Sequence, residues 1–241
     1  MREKIHVFNT PEETACAVAS FMVQNINRQA GRKQYFNVAL SGGNTPGLLF
    51  RILAAEFATE VQWKALRIFW VDERCVPPSD KDSNYGMMYG NLLKTELVPD
   101  KNIFRIKGEN DPMTETLRYQ SLLATELPLN NGIPVFDLVL LGMGDNGHTA
   151  SIFPDMLSLL YTRETVAAVR HPQSDQGRIT LTGGVIRAAK QRVFLITGKS
   201  KSDVLRNIFH KEPIAEQYPA FHIMSLPDTE VYVDKKACSF L

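Results

Sequence analysis

Apolar residues fall along this chain in two patterns, short unbroken runs and longer stretches in which they recur every three or four positions. The unbroken runs lie within 36–40 (FNVAL), 67–72 (RIFWVD), 136–141 (FDLVLL) and 192–197 (RVFLIT), whose polar residues, Asn37, Arg67, Asp72, Asp137, Arg192 and Thr197, fall at or next to the ends. They lack the polar alternation of a half-exposed strand, as expected of strands buried on both faces of a parallel sheet. Between them lie helical patterns. The first is announced by Asn9-Thr10-Pro11-Glu12-Glu13, carries Ala15, Val18, Ala19, Met22, Val23 and Ile26 on one face, and stops at Gly31. Further helices are predicted from Pro46, over 84–93, over 112–127 between two prolines, at 185–189 and over 202–210. Weaker strand candidates lie at 4–8, 104–106, 166–169, 178–182 and 231–234. Ser151 and Ile152 are expected to open a helix after the third unbroken run. Strand alternating with helix predicts an α/β fold on an open, mainly parallel sheet. No repeat, low-complexity tract or linker divides the sequence, so residues 1–241 read as one domain.

Composition narrows the function classes. Apolar residues make up 44% and charged residues 22%, which excludes a fibrous or unfolded chain. The net charge is +1, so there is no global basis for binding nucleic acid or an anionic membrane. The amino terminus has no apolar signal segment and no stretch is long enough to span a membrane, which predicts a cytoplasmic protein. Cys16, Cys75 and Cys238 are widely separated and form no CxxC pair, as expected of reduced thiols. No cluster has metal-ligand spacing, so neither a metal nor another cofactor is expected.

Chemistry is concentrated where the unbroken runs end. The first runs into Ser41-Gly42-Gly43-Asn44-Thr45 ahead of a helix, a turn that presents free N–H groups, hydroxyls and a helix amino terminus, all suited to phosphate. It matches neither GxxxxGK[ST] nor GxGxxG, and by itself it reads equally as a bare strand-to-helix turn. The second run ends in Asp72-Glu73-Arg74, the fourth in Gly198-Lys199-Ser200-Lys201. Charges where an apolar strand emerges must face solvent, pair, or meet a ligand. The third run ends in Gly142-Met143-Gly144-Asp145-Asn146-Gly147-His148, a flexible turn with a histidine at its close.

In an open parallel sheet these carboxyl ends share one edge, where ligands bind. Each motif is ambiguous alone. Together they describe one pocket with a phosphate cradle, cations, a carboxylate and a histidine, as an enzyme acting on a small phosphorylated compound requires. His148 is the natural proton-transfer group, since imidazole titrates near neutrality. His6, His171, His210 and His222 have no comparable setting.

The blocks SGGNTP, VDERCVPPSDKDSNYG, GMGDNGHTASIFP, RITLT and GKSK, in this order, resemble the 6-phosphogluconolactonases, in a superfamily with glucosamine-6-phosphate deaminase and ribose-5-phosphate isomerase. The resemblance runs nearly end to end. It implies a Rossmann-like, doubly wound sheet with helices on both faces, and hydrolysis of 6-phospho-D-glucono-1,5-lactone in the pentose phosphate pathway. It implies catalytic roles for His148, as general base, and for Asp72, which positions sugar hydroxyls or holds Arg74. It further implies a binding set of Ser41, Gly42, Gly43, Asn44, Thr45, Arg74, Gly144, Asn146, Gly147, Arg178 and Lys201, with the glycine-turn N–H groups on the developing oxyanion. The partner is then a small phosphosugar lactone. The deaminases typically carry Tyr in place of Arg74, and the family often has Asp where this chain has Asn146, an amide that can orient a histidine ring but lends it no charge. The competing readings are a glucosamine-6-phosphate deaminase/isomerase and a non-catalytic sugar-phosphate sensor.

Overall fold

The structure, a computed structural model, describes residues 4–240. In chain order its elements are β1 (Ile5–Phe8), α1 (Pro11–Gly31), β2 (Phe36–Leu40), α2 (Asn44–Glu56), β3 (Leu66–Trp70), β4 (Asp72–Arg74), α3 (Asn84–Asn91), β5 (Ile103–Phe104), α4 (Pro112–Glu126), β6 (Leu129–Asn130), β7 (Ile133–Pro134), β8 (Leu138–Leu141), β9 (Val166–Arg170), β10 (Gly177–Leu181), α5 (Gly183–Ala188), β11 (Gln191–Ile196), α6 (Ser202–His210), α7 (Pro219–Met224) and β12 (Thr229–Asp234). The unbroken apolar runs became the middle of the molecule. β2 and β8 are buried at every position, and β11 at every position after its first residue.

Seven strands form one sheet in the order β1-β12-β11-β8-β2-β3-β5, with every pairing parallel. The connections β1-α1-β2, β2-α2-β3 and β3-α3-β5 step one way across it, whereas β8-α5-β11 and β11-α6-α7-β12 step the other way. Right-handed crossovers therefore put the two helix sets on opposite faces. Helices α1, α2 and α3 pack in succession on one side, and α5 and α7 touch each other on the other. The chain reverses direction between β2 and β8, and the crevice beyond such a switch point is where an open α/β sheet binds ligands.

A second sheet was not foreseen. β4, β10 and β9 pair antiparallel in that order, and α4 packs against β9 and β10. The expected strand 67–72 stops at Trp70, and after Val71 the chain enters this smaller sheet. The helix expected to open at Ser151 is also absent. Thr149 and Ile152 close a tight bridge instead, and a 3-10 turn follows from Pro154 to Leu160. Among the described residues no helix is long and apolar enough to cross a membrane.

Candidate active site

Beyond the carboxyl ends of β2, β8 and β11 lies a cleft with two lobes. The larger, about 450 Å³, is lined by Gly42, Gly43, Asn44, Thr45, Thr197, Ser200 and Lys201 among others. The smaller, about 120 Å³, is lined by Ser41, Asp72, Arg74, Asn84, Gly144, His148 and Arg178 among others. Gly42, Gly142 and Met143 line both, so the lobes adjoin. The predicted residues are thus drawn together, except that Asn146 and Gly147 line neither lobe.

The loop after β8 is shaped around His148. A side chain at Gly144 would place its Cβ 2.1 Å from His148 Nδ1, so only glycine lets the ring lie against the backbone there. Gly147 carries the turn with φ +80°. Asn146 Oδ1 lies 3.2 Å from the His148 backbone nitrogen and 2.6 Å from its Nδ1. A backbone N–H can only donate, which identifies the Asn146 atom as the carbonyl oxygen. That oxygen can only accept, so Nδ1 must carry the ring proton and Nε2 keeps its lone pair. Burial pushes the His148 pKa down to about 4. Asp72 opposes the shift, and Arg178, Lys201 and His171 reinforce it.

The acid and the arginines come from the second sheet. Arg178 on β10 stands opposite Arg74 on β4, and Thr180 opposite Asp72. Opposed residues of an antiparallel pair project to one face, so the two guanidinium groups are neighbours. Arg74 donates from Nη1 to the Asp82 carbonyl. Arg178 makes long contacts to Ser151 Oγ, 3.5 Å, and Gln176 Oε1, 3.4 Å. The Nε of each is buried and has no partner among the described residues, and the Ser41 hydroxyl shares that condition. Burial lowers the Arg178 pKa.

Asp72 and Glu73 are both buried, but they do different work. Glu73 accepts from the backbone N–H groups of Arg74, Asn84 and Tyr85 and from the Ser83 hydroxyl, so it caps α3 and faces no ligand. Burial raises its pKa against those bonds. Asp72 takes a 2.6 Å bond from Ser151 Oγ and lines the cleft.

Several residues about the site carried no distinct mark in the sequence. Ser151 and Phe153 sit within the GHTASIFP block, where their roles depend on contacts far along the chain. Phe153 holds the His148 ring 4.9 Å from its own and the His171 ring at the same distance on an edge. Thr197 meets Thr45 hydroxyl to hydroxyl at 2.8 Å and ties the turn after β2 to the end of β11.

Comparison with known proteins agrees on one family. The family model described as glucosamine-6-phosphate isomerases/6-phosphogluconolactonase matches residues 9–232. The 6-phosphogluconolactonase of Treponema pallidum is 40% identical over 85% of this chain and 83% of its own length. That of Haemophilus influenzae is 42% identical over 85% of this chain and 87% of its own. The solved structure of 6-phosphogluconolactonase from Trypanosoma brucei superposes with a TM-score of 0.86 at 30% identity, covering 99% of this chain and 98% of the other.

Proposed function

The chain belongs to the glucosamine-6-phosphate isomerase/6-phosphogluconolactonase family, and from that premise we propose that it hydrolyses 6-phospho-D-glucono-1,5-lactone to 6-phosphogluconate with His148 as the general base. The observation that carries the assignment is the fixed tautomer, since Asn146 binds Nδ1 and leaves Nε2 free in a cleft that also holds Asp72 and two arginines. Nε2 takes a proton from water as the water oxygen bonds to the lactone carbonyl carbon. The carbonyl electron pair moves onto its oxygen, and donors of the smaller lobe stabilise that charge; the Gly144 and Gly147 N–H groups expected there are instead engaged by the His148 and Gly144 carbonyls. Collapse of the tetrahedral intermediate breaks the bond to the ring oxygen, which receives the proton from His148. With a pKa of about 4, the imidazole is neutral at physiological pH, and its conjugate acid gives the proton up readily.

Binding falls to the rest of the cleft. The turn 41–45 and Lys201 supply hydroxyls, N–H groups and a point charge suited to phosphate, and Arg74 and Arg178 add planar donors. Asp72 accepts from sugar hydroxyls, with Ser151 fixing one of its oxygens. The deaminase reading is disfavoured because Asn146 offers no acid beside the histidine.

The test is a coupled assay that follows 6-phosphogluconate formation above the spontaneous rate. The purified protein is expected to accelerate it, and His148→Ala to lose most turnover while still binding a phosphosugar. An unaccelerated rate would reject the lactonase reading. Full activity in the histidine variant would reject the base.

A further inference from the structure

The carboxyl-terminal turn after β12 lies outside the cleft, yet it grips the loop that carries Lys201. Asp234 is completely buried at the end of β12, and its Oδ1 accepts from Gly198 N at 2.9 Å and from Ala237 N at 2.8 Å. Gly198 has φ +94° and leads into the 3-10 turn Lys199–Lys201, which runs directly into α6. Farther along, Ser202 and Ser239 join hydroxyl to hydroxyl at 2.8 Å, and the Phe240 ring stacks on Phe209 at 6.0 Å. Two side-chain hydrogen bonds and one aromatic contact therefore fasten the end of β12 and the terminal turn to Gly198 and to α6, which flank the Ser200 and Lys201 wall of the larger lobe.

A buried carboxylate is costly to retain unless it accepts hydrogen bonds. Asp234 Oδ1 holds two backbone N–H groups, while Oδ2 is buried and has no partner among the described residues. An apolar residue would avoid that cost but release Gly198, whose backbone then has no anchor on this side. The left-handed conformation of Gly198 sets the direction in which the chain leaves β11, and hence where Lys201 arrives.

We propose that Asp234 is a positioning residue for substrate binding, acting through Gly198 to hold Lys201 and the 198–201 loop at the phosphate-binding end of the cleft. The inference rests on the reading of that lobe as the phosphate seat. Asp234 does not line either lobe, so its effect on substrate passes through the loop alone.

Steady-state kinetics and direct binding of inorganic phosphate by titration calorimetry test it together. Asp234→Ala is expected to raise KM and the phosphate Kd about tenfold, the loss of a charge-assisted hydrogen bond of roughly 1.4 kcal/mol, and to leave kcat within about twofold. Asp234→Asn keeps an acceptor for Gly198 and Ala237 and is expected to restore both values to within about twofold, even where its Tm falls. Ser239→Ala, at an exposed position, keeps the test open should Asp234→Ala fail to fold, with a two- to threefold rise in KM expected. An Asp234→Ala protein with lowered Tm and unchanged KM would overturn the proposal, as would an Asn variant no better than Ala, or an unchanged KM in Ser239→Ala. Phosphate binding needs no turnover, so a protein that binds phosphate normally but hydrolyses no lactone would sink the proposed activity and leave this inference standing.

Discussion

Replacing Asn146 by Asp puts a carboxylate where an amide oxygen now lies 2.6 Å from His148 Nδ1. The geometry of the acceptor is preserved, so the tautomer is unchanged and charge is the only new variable. A carboxylate this close favours imidazolium by about 1–3 pKa units. Asn146 is exposed, so solvent screening selects the lower part of that range, about 1–2 units, or roughly 1.4–2.7 kcal/mol. The sign follows from the direction of the present shift. Burial holds the His148 pKa at about 4, so the base stays neutral and active until the pH falls through that value. In Asn146→Asp, activity is instead lost as the pH falls through about 5–6. At pH 5 the variant retains about a quarter of its plateau kcat/KM if its pKa is about 5.5, against about nine-tenths for the parent. The assay is the pH dependence of kcat/KM from pH 4 to 8, run on both proteins. Substrate ionisation is common to both and cancels in their ratio. Superimposable acid limbs would refute the reasoning, because either residue 146 does not touch the titrating ring or His148 is not the base.

Three further outcomes follow from the same contacts. Gly144→Ala places a Cβ in the His148 ring and is expected to cut kcat about a hundredfold with an unaltered circular dichroism spectrum; an active variant would show that the ring does not react from this position. Ser151→Ala removes the 2.6 Å donor to buried Asp72, with an expected loss of about 1–3 kcal/mol that lowers Tm by about 2–4 °C per kcal/mol, measured by calorimetry, and an unchanged Tm would remove the pair from the account. Lys201→Ala is expected to raise KM for the phosphorylated lactone about tenfold and leave the rate with unphosphorylated glucono-1,5-lactone unaltered, and an equal loss on both substrates would place Lys201 away from the phosphate.

The parallel sheet was legible because its strands carry their environment in their composition. A segment such as FDLVLL can be satisfied only between two helical layers, and β8 occupies that place. The second sheet was illegible for the converse reason. β4 is three residues long and all of them are charged, a composition that reads as solvated loop, yet Asp72 and Glu73 are buried. Their burial depends on partners remote in sequence, namely Ser151 for the first and the α3 amino terminus for the second. Composition cannot foretell such bonds. The turn after β8 was partly legible: its glycines and histidine marked a loop at the edge of the sheet where ligands bind, but nothing in the spacing foretold that Asn146 would accept from the His148 ring.

The two sheets also explain how one cleft presents both cations and a carboxylate without neutralising them internally. Glu73 is the acid next to Arg74 in sequence, and had the two paired the site would have lost a cation. Its oxygens are instead occupied by α3 N–H groups and the Ser83 hydroxyl. Asp72 gives one oxygen to Ser151, and Ser151 stands between it and Arg178, whose contact to the hydroxyl is long at 3.5 Å. Both guanidinium groups therefore keep a buried Nε without a partner among the described residues. A buried cation with spare donors is tolerated where an anion or polar ligand completes it. The residues lining the larger lobe include Lys201 and no acid, whereas Asp72 lines the smaller one. The smaller lobe sets that carboxylate beside Arg74 and Arg178, so it offers an acceptor for sugar hydroxyls together with donors for a carbonyl or an anion. On the proposed reading, this distribution favours a substrate lying with its phosphate toward Lys201 and the turn after β2, and its carbonyl toward His148.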